Sequence, residues 1–423
     1  MDFMALPDAG AIRFEDVSVP GCLLGAEASL VRTDVTISDG KIADAADAVT
    51  VAMNGAMLFP CFIDMHTHLD KAQMWGRTEN PDGTFDGAIN AVNSDKPGRW
   101  DAADLMPRMG FALRSAFAHG TRAIRTHLDY FGDEAGQSWD CFDALRTEWA
   151  GRVDLQAVVL TGSDLGQDPG ALRTCADMVA RYGGVLGSCT YPGPDQRAQI
   201  AAFFDAAEQR DLALDFHVDE TMDPEVNTLK DIAEVALETG FGRNVVVGHL
   251  CSLSTMAEAD ALATLDLVAK AELRVVSLPM CNLYLQDRHA ARTPRNRGIT
   301  LVHEMKARGI SVSFASDNTR DPFYAYGDMD MLEVMREATR IGHLDHSDPD
   351  WTRAFLTNPA EACAFDTPSL DPGAPADLVI CKARSWTELF ARPQSDRIVL
   401  RAGHAVDRRL PDYAELDPLM EPL

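Results

Sequence analysis

The sequence lacks any apolar run long enough to cross a membrane, and its N-terminus (MDFMALPDAG) has neither a basic start nor the apolar stretch that directs export. Both absences point to a soluble, cytoplasmic protein with no membrane partner. It is also poor in basic residues. Thirty-eight lysines and arginines stand against 65 aspartates and glutamates, a net charge of −27. A nucleic-acid backbone requires basic patches, so a nucleic-acid partner is excluded, and the acidic excess reads as a solvated surface. Cysteine is present but unorganised. The nine cysteines form no CxxC pair and lie mostly in apolar segments, such as those holding Cys61, Cys189, Cys251, Cys281 and Cys381. That excludes a thiolate metal site and a disulfide framework, and fits reduced buried thiols. No GxGxxG opens a helix after a strand-like run, which leaves a doubly wound dinucleotide-binding sheet without support.

What is there is a strand and helix alternation inside a pair of strand-rich ends. The 423 residues, 46% of them hydrophobic, suffice for a large core. From Ala11 to Met57 the chain reads as short strands, with Asp39-Gly40 as a hairpin signal. Similar runs return in PADLVICKA (Pro375 to Ala383) and DRIVLRAGHAV (Asp396 to Val406). The expected architecture joins residues 1–57 and 366–423 into one small β-sandwich, with residues 58–365 inserted as a second domain. The insert opens on LFPCFIDMHTHLD (Leu58 to Asp70). Further strand-like runs cover Thr121 to Asp129, Asp154 to Leu160, Gly183 to Ser188, Leu212 to Glu220, Asn244 to Leu250, Leu273 to Met280 and Ile310 to Asn318. Eight strand–helix units over roughly 250 residues predict an α/β fold, a (β/α)8 TIM barrel.

Catalytic groups of such barrels sit at the C-terminal ends of the strands. Here those ends carry His66 and His68, His127 and Asp129, His217 and Glu220, His249, and Asp317-Asn318. Residues i and i+2 of a strand share a face, so His66 and His68 present two imidazoles side by side. Three imidazoles and a carboxylate suit zinc or ferrous iron, which makes a water nucleophilic near neutral pH. Glu220 is placed to move that water's proton, and His249 to stabilise the developing oxyanion. Asp317 serves as ligand and proton acceptor. His127 and Asp129 are expected to support ligands without touching metal. Lys71 is either a pocket group or a solvated lysine. The remaining histidines (His119, His289, His303, His343, His346, His404) have no strand-end context.

HTHLD after an apolar strand, His217-Val-Asp-Glu220, Gly248-His249 and Ser316-Asp317 resemble the motifs of the amidohydrolase superfamily. RTHLD, HVDE, NLYLQDR (Asn282 to Arg288), RGIT (Arg297 to Thr300) and SDNTRDPF (Ser316 to Phe323) resemble those of bacterial cytosine deaminases, and the similarity runs with gaps from Leu58 to Ala364. The resemblance implies one divalent metal on His66, His68, His217 and Asp317, with Glu220 as proton shuttle and His249 facing the attacked carbon. It places Gln286 near the pocket and implies a homo-oligomer. GGVLGSCTYP has no lysine of the kind that bridges two metals, which favours a mononuclear site.

Two departures bear on substrate. Cytosine deaminases carry a glutamine after strand 3, where this chain has Gly162, and a second aspartate where it has Asn318. SDN-x-RD is instead similar to N-isopropylammelide amidohydrolases. The reaction implied is hydrolytic loss of an exocyclic amine from a small heterocycle: cytosine or 5-methylcytosine first, an aminotriazine or other cyclic amidine second. A non-catalytic metal-binding protein is the remaining reading. With Gly162 in place of an amide, the pocket is expected to be open beside the ring, with Asn318 accepting from the departing amino group and donating to a ring or carbonyl position; the alternative is that Gln286 or Ser163 supplies the missing contact.

Overall fold

The computed structural model describes residues 3–130, 132 and 135–421. Both ends of the chain build one sheet. Its N-terminal strands are β1 (Ala11–Pro20), β2 (Leu30–Ser38), β3 (Lys41–Ile42), β4 (Val49–Ala52) and β5 (Met57–Pro60). The Asp39-Gly40 turn between β2 and β3 takes positive φ at both residues (51° and 76°), the backbone a tight hairpin requires.

The inner part supplies β6 (Phe62–Thr67), β7 (Thr121–Asp129), β8 (Asp154–Leu160), β9 (Leu186–Cys189), β10 (Leu214–Val218), β11 (Val245–His249), β12 (Arg274–Ser277) and β13 (Val312–Phe314). They are parallel, in the orders β6-β7-β8 and β9-β10-β11-β12-β13. Parallel bridges join the two sheets at both seams, Val158 to Val185 and Gly162 to Cys189 on one side and Thr67 to Asp317 on the other. The result is the eight-stranded TIM barrel. Every residue of β6, β7, β10 and β11 is buried, as expected of strands covered by helices outside and side chains inside.

The C-terminal strands β14 (Leu378–Cys381), β15 (Ile398–Arg401) and β16 (His404–Ala405) complete the terminal sheet in the order β16-β15-β14-β5-β1-β2-β3, with β4 also on β1. This sheet has its own core, including Phe14, Val19, Ile37, Leu58, Leu378 and Ile398. It runs through Pro60, past the expected boundary after residue 57, because Leu58 faces the small core while Met57 and Phe59 face the large one. Only Cys61 separates β5 from β6.

The connection from β6 to β7 holds two helices, α1 (Phe85–Asp95) and α2 (Ala102–His119). Asp101 caps α2 by accepting from the Asp104 N–H at 3.1 Å. Gly120 ends it at φ 96° and lies against the terminal sheet, where a Cβ would stand 2.4 Å from Val379 Cγ2. The last five expected strands are shorter in the structure. Pro279 opens a helix (Pro279–Leu285) directly after β12, as a proline at the first helical position does, and β13 stops at Phe314.

Gly187 on β9 marks a close approach between barrel strands, since a Cβ there would lie 2.6 Å from Asp215 O and 2.4 Å from Val158 Cγ1. Gly187→Val is expected to lower stability by about 1–3 kcal/mol through overpacking. Gly136→Ala, in a helix with open space around it, should be neutral or slightly stabilising. Chemical denaturation midpoints of the two variants check this.

Candidate active site

At the C-terminal mouth of the barrel, β6 ends in His66-Thr67-His68 and β10 ends beside His217. Four atoms converge. His217 Nε2 is 3.1 Å from His66 Nε2 and 3.3 Å from His68 Nε2. Asp317 Oδ1 lies 3.5 Å from His66 Nε2 and 3.2 Å from His68 Nε2. Ligands on bonds of about 2.0–2.1 Å in a tetrahedral site stand roughly 3.3 Å apart, so this spacing fits a single small divalent ion. Among the described residues neither carboxyl oxygen of Asp317 finds a hydrogen-bond partner, although both are buried. Burial first, and then neighbouring imidazoles and Lys71, hold His66, His68 and His217 well below the usual histidine range. Neutral imidazole is the form that ligates metal. The same burial pushes the Asp317 carboxyl up to about 8. The donor set therefore fits a divalent metal. His127 sits against it, its ring 4.0 Å from that of His66 and its Nε2 3.4 Å from Asp215 Oδ1.

Local backbone geometry aims these groups. Asp317, His249 and Asp219 all have positive φ (63°, 74° and 50°), a conformation costly for residues other than glycine and held here by surrounding contacts. The Asp317 N–H donates to His66 O at 2.9 Å. Ser316 is fixed by Asp64, whose carboxylate accepts from the Ser316 N–H at 3.0 Å and from its hydroxyl at 2.5 Å. Asp219 spends its carboxylate on the helix Thr228–Thr239, accepting from the N–H groups of Thr228 (2.9 Å) and Leu229 (3.1 Å). That leaves the next residue, Glu220, turned toward the cavity.

Glu220 and His249 are brought together by Asn282. The Asn282 amide donates to Glu220 Oε1 at 3.2 Å and lies 3.0 Å from His249 Nδ1. With Nδ1 accepting from the amide, the His249 proton resides on Nε2. Burial holds His249 down at about 3, so the ring is neutral. Burial, then the Asp317 carboxylate, holds Glu220 well above the ordinary carboxyl range, as suits a group that carries protons near neutral pH. Asn282 is the residue that reading the strand ends missed. Its signal was the NLYLQDR run just past β12.

These groups open on one cavity of about 240 Å³, lined by His68, His217, Glu220, His249, Gly162 and Asn318. That is small for a ligand site and suits a small molecule. Aromatic side chains of Phe85, Tyr130, Tyr191 and Phe323 complete much of the wall. Lys71 is not solvated: it is buried in the wall and paired with Asp129, whose second oxygen takes Lys96 at 2.6 Å. Burial opposes the charge of Lys71, yet Asp129 and Asp70 hold its ammonium above the usual value. One N–H of Asn318 is engaged by Asp321 at 2.8 Å, which leaves its carbonyl toward the cavity with only a long contact to Cys281 Sγ at 3.7 Å. Gln286 and Ser163 are not among the described residues lining the cavity. Gln286 donates to Glu220 O at 3.2 Å and so braces the loop, and Ser163 donates to Gln199 at 3.1 Å. His119 and His303 are bonded elsewhere, to Asp328 and to Gly342 O, both at 2.7 Å.

A parallel barrel whose strand ends gather four clustered ligand atoms, a buried carboxyl and a neutral imidazole around one small cavity is the architecture of a barrel enzyme. Residues 147–406 match the model of the amidohydrolase family. A pterin deaminase from Rhizobium rhizogenes is 46% identical over 431 residues, covering 99% of this chain and 99% of that protein. An N-isopropylammelide isopropyl amidohydrolase from a Pseudomonas species is 20% identical, over 82% of this chain and 84% of that protein. The crystal structure of a 5-methylcytosine deaminase from Klebsiella pneumoniae, liganded with 5-fluorocytosine, has the same fold at a TM-score of 0.79 and 23% identity, covering 95% of this chain and 98% of the other. The chain belongs to the amidohydrolase family.

Asn282→Leu removes the one donor shared by Glu220 and His249. Loss of such a supporting group typically costs about 10–100-fold in activity. The expected outcome is a fall in kcat of that size with metal content unchanged, measured by steady-state kinetics alongside elemental analysis.

Proposed function

We propose that this protein is a hydrolytic deaminase of an aminated heterocycle, and that the heterocycle is a pterin: water replaces the exocyclic amino group, leaving an oxo ring and ammonia. One observation carries the reading. Glu220, His249 and the clustered ligand residues His68 and His217 face a single small cavity walled by aromatic side chains. The full-length likeness to a pterin deaminase, at 46% identity, supports a fused bicyclic ring over the cytosine expected from motifs alone. The catalytic unit is the barrel inserted between the two ends of the chain, with the strands through Pro60 and those after residue 365 forming the small sheet unit beside it.

The ligands assigned to one divalent ion, zinc or ferrous iron, are His66, His68, His217 and Asp317. When bound, the ion supplies the Lewis acidity that makes water a nucleophile near neutral pH. Glu220 takes a proton from the attacking water and delivers it to the departing nitrogen. His249, neutral and protonated on Nε2, donates to negative charge developing on the ring. The carbonyl of Asn318 accepts from the amino group or a ring N–H. Stacking on Phe85, Tyr130, Tyr191 or Phe323 favours a flat substrate, and Gly162 lines the same cavity without a side chain of its own.

Two measurements test this. Glu220→Gln should keep its metal and lose about 10²–10⁴-fold in kcat, whereas His217→Ala should lose metal. Retained activity in the first, or retained metal in the second, removes the assigned roles. The second measurement is kcat/KM for pterin, cytosine, 5-methylcytosine and an N-alkylated aminotriazine. Pterin should lead, and Gly162→Gln should lower pterin turnover at least tenfold more than cytosine turnover. Preference for cytosine in the native protein overturns the pterin assignment, and activity on the triazine alone moves the protein to the amidohydrolase reading.

A further inference from the structure

The cavity's outer wall is not held by the barrel alone. Helix α1 contributes Phe85, Ile89, Val92 and Asn93 to the lining, and it ends at Asp95, away from the metal ligands. Asp95 is bound by Arg77, whose Nε is 3.1 Å from Oδ1 and whose Nη2 is 2.8 Å from Oδ2. The same guanidinium bonds Asp104 of α2 and, through Nη1, the backbone carbonyl of Leu419 at 3.1 Å. Its side chain is 2% exposed. Arg99, just past α1, reaches Glu421 O at 2.9 Å. Asp104 also takes Arg108, which holds the carbonyls of Asp70 (2.6 Å) and Ala72 (2.9 Å), immediately after His68.

The segment 412–421 is thus tied, through Arg77 and Arg99, to the C-terminal end of the helix that lines the cavity. The helical turn Tyr413–Leu419 is capped by Asp412 and seated on α2, with Tyr413 stacked on Phe111 at 5.4 Å between centroids and Glu415 paired with Arg114 at 2.7 Å. Gly76 packs against Met420 so closely that a Cβ would lie 2.9 Å from its sulfur. An arginine that satisfies two carboxylates and a carbonyl from three segments at once fixes their relative positions, because its planar donors are rigid.

We infer that the segment Asp412–Glu421 is a strap that sets the position of α1 through Arg77, and so sets how tightly the cavity holds its substrate. Arg77 is a positioning residue, since it touches neither substrate nor metal ligand. The inference rests on the cavity being the substrate site, but its test also has an arm free of any substrate. The full-length protein is compared with a chain ending after Pro411 and with Arg77→Lys, which keeps the charge and loses the fork. Expected in both variants is a tenfold or larger rise in KM for pterin, with kcat within threefold and metal content unchanged. Amide hydrogen exchange over residues 85–96 should rise at least tenfold, while exchange in β10 and β11 stays fixed. Unchanged exchange in 85–96 and unchanged KM overturn the inference. So does a fall in kcat that tracks metal loss, because the strap would then be holding the barrel as a whole. If the shortened chain does not fold, Arg77→Lys decides by the same readouts. If the full-length protein deaminates none of the heterocycles, the function proposed above fails, and the exchange arm still decides the strap.

Discussion

Crowding of buried donor atoms, with the Nε2 atoms of His66 and His68 each 3.1–3.5 Å from His217 Nε2 and Asp317 Oδ1, is the constraint around which the mouth of the barrel is built. Imidazoles this close and this dry cannot be charged together, and a carboxylate without hydrogen bonds is costly in such a place. A divalent cation resolves both conflicts at once. The protein meets the remaining cost with fixed supports: Asp64 under Ser316, Asp219 on a helix N-terminus, and Asn282 between Glu220 and His249. Each support lets a residue adopt a backbone or side-chain state that it would not hold alone.

Below that layer the barrel holds a buried polar cluster beside a small apolar one that includes Met65, Val246 and Val276. Arg125 pairs with Asp215 at 2.8 Å and with Gln156 at 2.7 Å, and His127 lies over the same carboxylate. Buried pairs of this kind add little net stability, but removing one member leaves an uncompensated charge. They place a rigid floor under His66. The Lys71–Asp129–Lys96 cluster plays the matching part in the cavity wall, where two ammonium groups share one carboxylate.

The strand ends were legible because two signals coincide there: an apolar run ends and a histidine or carboxylate follows. His66, His68, His217, His249, Glu220 and Asp317 all carry that signature, and the structure gathers them. The turn at Asp39-Gly40 was legible for a local reason, positive φ. Lys96 and Asn282 gave no such sign, since each acts through partners on other segments. Gln286 had the opposite fault: its motif placed it by the pocket, but its amide is spent on the Glu220 carbonyl. The helix α1 was hidden because the long stretch from Leu69 to Gly120 is mostly polar at its start, and its apolar face is divided between the cavity, which Phe85 and Ile89 line, and the core, which Val92 joins.

The one-residue join between β5 of the sheet and β6 of the barrel bears on how the chain matures. β5 pairs with β14, with Pro60 opposite Leu378, a separation of 318 residues (378 − 60). One residue later begins β6, which carries the first two histidines. During synthesis those histidines are made early, yet the sheet that anchors their strand closes only when the last strands have left the ribosome. Contacts of such sequence separation form late and slowly. The strand that carries His66 and His68 therefore depends, for the anchoring of its base, on a pairing that spans most of the chain.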